Sequence, residues 1–191
     1  MAMNFTWVND PPVAQVNRAE ARQLAQAFDQ QMRQLAEGSD PADGDTARMA
    51  GGIARAMGGG SEWWVYRFAF QPGAAAVQGI AGMVELDFDY DDQVPHIAYM
   101  GCSYWLSGTG GILTEAAVRR SFEEGGNGRV TVCTGNPIAT RAFEGLGFVP
   151  VANGGYLSHE LRPQQSQRWI RRNGTYVLDG VGRYLAGVQD T

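Results

Sequence analysis

Cysteine is scarce in this chain. There are two in 191 residues, Cys102 and Cys133, and no Cys-x-x-Cys pair. That count argues against a disulfide framework and a cysteine-built zinc site. Histidine is equally scarce: His96 and His159 are the only two. Neither is spaced from carboxylates as metal ligands are, so no metal is expected. Basic charge is in the minority, 15 Lys+Arg against 20 Asp+Glu, for a net charge of -5 and a pI near 5.0. Binding along a phosphate backbone needs basic surface, so nucleic acid is not the expected partner. An acidic balance suits a cationic or amine-bearing partner better. No apolar run approaches the roughly 18 residues of a membrane span. The opening MAMNFTWVNDPP has neither the basic nor the apolar region of a secretory signal. The expectation is a soluble, cytoplasmic protein, long enough for one sizeable domain with a real core.

Hydrophobic periodicity supplies the elements. FTWV (5–8) reads as a short strand closed by Asn9-Asp10-Pro11-Pro12. Asn17, with Glu20 three residues later, marks a capped helix start. Ala21, Leu24, Ala25, Phe28, Met32 and Leu35 then recur at helical spacing, and Gly38 ends the run. A weaker helix follows Asp40-Pro41 or Asp45, with Met49, Ile53 and Met57 on its stripe. Strands are expected at 63–71, 77–90 and 96–105; in the second, Glu85, Asp87 and Asp89 alternate with Val84, Leu86, Phe88 and Tyr90. LSGTGG (106–111) reads as a Gly-rich turn, 112–126 as a helix, RVTVCT (129–134) as a buried strand and 137–146 as a short helix. FVPVA and 155–161 make two last strands. Beyond them, Asn173-Gly174 signals a hairpin. The order β-α-α-β-β-β-α-β-α-β-β contains one step suited to a parallel crossover, from the fourth strand through a helix to the fifth. An α/β fold with a mixed sheet follows, antiparallel first and parallel in the middle.

This order, with three local features, resembles the GNAT acyltransferase superfamily over roughly residues 3–162. The first feature is SGTGGILTEAA (107–117), similar to the family's Gly-rich turn, where helix amides bind the coenzyme A pyrophosphate. The family pattern is Q/R-x-x-G-x-G/A. Gly108 falls at the Gln/Arg place in the register set by Thr114-Glu115-Ala116, and Trp105 falls there if Gly108 and Gly110 are the two glycines; neither register is complete. The Thr114-Glu115-Ala116 run resembles the branch that acetylates protein N-termini. The second feature is TGNPIATRAFEGLGF (134–148), similar to the family's N-x-x-A-x-x-x-(Tyr/Phe)-E-x-x-G-F. Folding alone also explains it: Asn136 caps, Pro137 suits the first turn, Ala139, Ala142, Phe143 and Leu146 form the stripe, and Gly147 stops the helix. The third is the terminal strand pair. The resemblance implies a GNAT-like mixed central sheet with a parallel pair of fourth and fifth strands and helices on both faces. It implies an acyltransferase domain over 1–162 and leaves 163–191 as a C-terminal extension, packing on the domain or serving a partner or a homodimer.

The activity implied is transfer of an acetyl group from acetyl-CoA to an amine on a small molecule or peptide. The residues the resemblance places at the coenzyme are Cys102, Gly108, Thr109, Gly110, Gly111, Ile112, Asn136, Thr140 and Phe143. Glu85, Asp87 and Asp89, on one strand face, are the candidate bases, and Glu85 is favoured as furthest from the turn and nearest the sheet centre. Phe143 stands where many relatives carry a tyrosine acid, and phenylalanine has no proton to give. Tyr99, Ser103 and Tyr104, near the end of the fourth strand, are the substitutes. A thiol leaves as thiolate at pH 7 for only about 2 kcal/mol, so an acid helps without being indispensable. Cys102 and Cys133 read as packing residues, since no partner histidine makes either a nucleophile. The competing reading is a degenerate, non-catalytic GNAT-like binding or partner-interaction protein, suggested by the incomplete loop pattern and by Phe143.

Overall fold

The computed structural model describes residues 5–7, 13–36, 62–70, 77–88, 93–102, 108–153 and 156–180. The elements are β1 (Phe5–Trp7), β2 (Val13–Val16), α1 (Arg18–Ala36), β3 (Glu62–Phe70), β4 (Val77–Phe88), β5 (Pro95–Cys102), α2 (Thr109–Glu123), β6 (Val130–Cys133), α3 (Pro137–Gly145), β7 (Val149–Asn153) and β8 (Tyr156–Leu161). A 3-10 turn, Pro163–Gln165, leads to a separate hairpin of β9 (Trp169–Arg172) and β10 (Thr175–Leu178). Strand β2 was not expected from the sequence; its four residues pair antiparallel with Trp63–Tyr66. It shifts the numbering, so the expected fourth and fifth strands are β5 and β6. The second expected helix, on Met49, Ile53 and Met57, lies outside the described residues.

Eight strands form one mixed sheet in the order β1-β3-β4-β5-β6-β8-β7, with β2 on β3. The pair β5–β6 is parallel, and every other pairing in the sheet is antiparallel. Helix α1 covers one face. Its Ala21, Ala25, Phe28 and Met32 pack on Trp63, Val65, Ile80 and Met83. Helices α2 and α3 cover the other, where Ile112, Leu113, Ala116, Ala117 and Phe143 meet Trp64, Tyr66, Val84, Leu86, Ile97 and Val132. The fold class expected from the sequence is the one observed.

Local chemistry sets the helix ends. Asn17 Oδ1 accepts the Glu20 amide at 3.0 Å, the N-cap bond its sequence promises. The Glu20 carboxylate does not reach back to complete a capping box; it pairs with Arg67 on β3 and ties the helix to the sheet. In α3, Asn136 Oδ1 accepts the Ile138 amide at 2.8 Å, with Pro137 in the first turn. Gly147 adopts φ +96 just past the end, and Phe148 folds back with its ring 5.2 Å from that of Phe143. Phe143 and the half-buried Ala139 face inward as expected, but Ala142 is exposed: the helix is nine residues long and lies at the rim of the sheet, so its stripe is narrower than the spacing suggests.

Two polar clamps fix the sheet. Gln31 of α1 accepts from the Ile80 amide at 3.2 Å and donates to its carbonyl at 3.0 Å. This occurs where Ala81 is skipped in the β3–β4 register, so a side chain completes a ladder that the bulge interrupts. Burial alone would raise the Glu160 pKa, but hydrogen bonds from Arg162 and Arg129 outweigh it and hold the carboxyl below its usual range.

Candidate active site

The site begins with one extra residue. Glu85 stands opposite Tyr99 and Leu86 opposite Ile97, so Ala98 is a bulge in β5. A bulge bends its strand and strengthens its twist. The parallel pairing of β5 with β6 covers two residue pairs, His96–Thr131 and Ile97–Val132, and stops at the bulge. Past it β5 runs on beside β4 as far as the Gly82–Cys102 pair, while β6 ends at Cys133 and the chain turns into α3. The pairing ends there, and no described strand pairs with the β6-facing edge of residues 99–102. That divergence of β5 from β6 is the cleft, with backbone amides and carbonyls of β5 along one side.

The two faces of the sheet supply different chemistry to this cleft. Directly opposed residues of antiparallel strands point to the same side. Glu85 opposes Trp63, which packs under α1, and on its other flank opposes Tyr99. Glu85 and Tyr99 therefore stand together on the α1 face; Glu85 is 2% exposed and Tyr99 40%. Asp87 lies further along the same face and is exposed. Asp89, Ser103 and Tyr104 lie outside the described residues. On the opposite face Val84 lies beside Met100, and Gly82 beside Cys102.

Helix α2 starts three residues earlier than the sequence suggests. Gly108 occupies its N-cap at φ 86, a left-handed conformation that suits glycine, so Gly110 and Gly111 lie within the first turn instead of before it. Each costs roughly 1 kcal/mol relative to Ala in a helix. Docking of the helix start offsets that. At Gly82 a Cβ would lie 2.7 Å from Thr109 Cγ2, 3.0 Å from Leu113 Cδ1 and 2.6 Å from the Gly101 carbonyl oxygen. The first turn of α2 thus rests on β4 with no room for a side chain beneath it. A Cβ on Gly110 would meet Cys102 Sγ at 3.6 Å, Met100 Sδ at 3.9 Å and Leu146 Cδ1 at 4.0 Å. The helix start accordingly sits where β5 and the end of α3 converge. No side chain caps it and no acidic residue lies in its first turn. The amides that a helix start leaves without intrahelical partners, with the dipole behind them, make it an anion-seeking end.

Several candidates have structural tasks. Thr109 and Ile112 are buried in the seat of α2. The Thr140 hydroxyl donates to the Asn136 carbonyl at 3.1 Å, and the Thr134 hydroxyl donates to that same oxygen at 3.2 Å. Asn136 spends its side-chain oxygen on the helix cap and is exposed, which leaves its NH2 group toward solvent. Phe143 is 9% exposed and stacked edge-on against Phe148. His96 Nδ1 lies 3.1 Å from Thr131 Oγ1; burial lowers its pKa and Asp87 partly opposes the shift. His159 is buried below α3, with Nε2 4.0 Å from a Glu144 carboxylate oxygen. Among the described residues no group of His, Cys, Asp and Glu is arranged to hold a metal ion, and no helix is long and apolar enough to cross a membrane.

Burial pushes the Cys102 thiol up to about 12. The thiolate is the nucleophile, so the raised pKa slows reaction at Cys102, which is itself only partly buried. Cys133 is exposed. Brief iodoacetamide treatment of the native protein at pH 8 is expected to label Cys133 alone. Unfolding in denaturant should release Cys102 to label as well, and peptide mass spectrometry reads both. Native labelling of Cys102 at the Cys133 rate would reopen a nucleophilic role for it.

The Ala98 bulge and the seat at Gly82 carry the site, and neither was among the candidates. The signal for the second is present in VQGIAGMVELDF: a glycine inside a strand marks a bulge or a close backbone approach. The bulge at Ala98 has no such signal.

No protein-family model matches the chain, and no curated protein matches it. Solved structures do. Nourseothricin acetyltransferase shares 18% identity over 52% of this chain, with a TM-score of 0.38; the chain spans 62% of that protein's length. An acetyltransferase of the GNAT family from Staphylococcus aureus Mu50 shares 14% identity, covering 86% of this chain and 94% of its own, with a TM-score of 0.46. Apo FdhC, described as a nucleotide-linked sugar GNAT, shares 10% identity over 86% of this chain and 90% of its own, with a TM-score of 0.47. At these identities and scores, the functional reading rests on the geometry above.

Proposed function

We propose that this chain is an N-acyltransferase of the GNAT type that moves an acetyl group from acetyl-CoA to an amine. The observation that carries the reading is the β5 edge past the Ala98 bulge that no described strand covers, with an uncapped helix start on one face of the sheet and a buried carboxylate on the other. Two substrates enter such a cleft from opposite faces and meet between the strands.

The residues fit the donor. The amides of the first turn of α2, at Thr109, Gly110 and Gly111, suit the coenzyme pyrophosphate. The β5 edge at 99–102 offers amides to the pantetheine arm and a donor for the thioester oxygen as charge develops on it. Glu85 takes a proton from the acceptor ammonium, directly or through a water, so that a neutral amine attacks the carbonyl carbon. The C–N bond forms, the C–S bond breaks, and the thiolate departs at the modest cost of about 2 kcal/mol, being a weak base; the second proton of the attacking nitrogen passes to solvent or to the departing sulfur. Tyr99 stands beside Glu85 and helps hold the acceptor. Glu85 and Asp87 on one face favour a cationic amine, on a small molecule or a peptide. Thr114 donates to the Gly110 carbonyl at 2.7 Å, and Glu115 accepts from the Leu178 amide at 2.7 Å. Helix construction therefore accounts for both residues, and the acceptor class does not rest on them.

Calorimetric titration with acetyl-CoA tests the reading. Binding is expected within the ordinary substrate range, roughly 1 μM–1 mM. Gly110→Phe should weaken it at least tenfold, because a ring there has to displace Met100, Cys102 and Leu146. Absence of heat with the unaltered protein would overturn the enzyme reading in favour of a non-catalytic binder. Thiol release is then followed with a polyamine, an aminoglycoside and a peptide bearing a free N-terminus. The chain contains no lysine, so transferred label has no side-chain amine of its own on which to land.

A further inference from the structure

The C-terminal extension reaches both helices that border the cleft. The last carbonyls of a helix have no partner within it. At the end of α3 two of them are taken by the extension: the Gly145 carbonyl accepts from the Arg168 guanidinium, and the Leu146 carbonyl accepts from the Trp169 indole N–H at 2.8 Å. Trp169 is 5% exposed. Gly147 makes this approach possible. Its φ of +96 is left-handed, and a Cβ there would lie 2.7 Å from Ser166 Oγ and 3.5 Å from Trp169 Nε1. The side chain of Leu146 points onward to α2, in contact range of the Gly110 position. Trp169, Leu146 and Gly110 thus follow one another from the hairpin to the first turn of α2.

The second strand of the hairpin holds the same helix further along. The Leu178 amide donates to Glu115, and Tyr176 stacks on Phe122 with ring centroids 5.7 Å apart. Asn173 and Gly174 both have positive φ, so the two-residue turn fixes the register of β9 on β10. The hairpin is therefore a brace across α2 and α3, and Trp169 is its contact on Leu146, whose side chain faces the first turn of α2.

We propose that Trp169 is a positioning residue for the phosphate end of the coenzyme site, acting through the Leu146 carbonyl and side chain; this rests on the acetyl-CoA reading above. Trp169→Phe keeps the ring and removes the N–H. A net hydrogen bond of the usual size corresponds to a change of roughly threefold to tenfold. Affinity for acetyl-CoA is expected to fall by that factor. Affinity for S-acetylpantetheine, which lacks the diphosphate, is expected to stay the same. A general loosening of the fold would weaken both donors alike, so equal losses, or no loss on acetyl-CoA, overturn the proposal. If Trp169→Phe does not fold, Leu146→Ala decides: it leaves the backbone carbonyl in place, and the same donor-selective loss is expected. If the unaltered protein binds S-acetylpantetheine as tightly as acetyl-CoA, the helix start is not a phosphate site and the inference fails with the donor reading intact. If it binds neither, the acetyl-CoA reading fails and the inference falls with it.

Discussion

Glu85→Gln is expected to lower kcat about a hundredfold or more at pH 7 while leaving acetyl-CoA affinity unchanged. Glutamine matches the carboxylate in shape but accepts no proton. Positioned general bases contribute typically 10²–10⁴-fold. Glu85 suits that task because cross-strand pairing with Trp63 and Tyr99 places it beside the cleft and nearly out of water. The loss should shrink as pH rises. An amine with an unperturbed pKa near 10.4 gains about tenfold in neutral form per unit below that value, so the variant's rate should climb with pH after the unaltered protein has levelled off. The measurement is a pH–rate profile with the amine that gives turnover. Superimposable profiles would remove Glu85 from the chemistry. Coenzyme affinity should not follow kcat, because Glu85 lies on the opposite face of the sheet from the helix start.

Gly82→Ala is expected to damage both the fold and the site. The added carbon would sit 2.6 Å from a backbone oxygen of β5 and 2.7 Å from Thr109 in the first turn of α2. Neither neighbour is the free end of a flexible side chain, so strand or helix has to move. Overpacking of this kind costs typically 1–3 kcal/mol, and each kcal/mol lowers the melting temperature of a chain this size by roughly 2–4 °C. A fall of about 2–12 °C follows, together with a loss of acetyl-CoA affinity, since both shifted elements border the helix start proposed to hold the coenzyme. Gly145→Ala is the control. A Cβ at Gly145, inside α3, meets nothing within 4 Å, and alanine is the better helix former, so its melting temperature should hold or rise. Thr109→Ser, which removes the clashing methyl, should restore part of the affinity lost at Gly82. Unchanged melting and affinity in Gly82→Ala would show that α2 is not seated as described.

Local signals carried far in this chain. Asn17 and Asn136 cap the helices that follow them, because a cap needs only a side-chain oxygen two or three residues before its amide. Gly147 and the Asn173-Gly174 pair have positive φ, as their turns require. Alternation in β4 placed Glu85 and Asp87 on one face, since strand period is a property of the backbone itself. The mixed sheet with its single parallel step followed from element order and chain connectivity. The element order and the 134–148 signature also carried the resemblance behind the acyl-transfer proposal.

What the sequence by itself determined, then, is the order of most helices and strands, the caps of α1 and α3, and which way the side chains of β4 alternate. The tertiary structure alone decided the rest. Ala98 is an ordinary residue in an ordinary strand, and it becomes a bulge only because β4 offers one residue fewer across from it. Gly82 is indispensable only because Thr109, 27 residues further on, rests against it. Trp169 and Leu146 meet only after α3 has ended and the extension has turned back. In the same way, β2 is a strand only because β3 has a free edge there to receive it. Each of these depends on a partner distant in the chain, and local propensity holds no record of a partner. The cleft between β5 and β6 is the sum of such meetings.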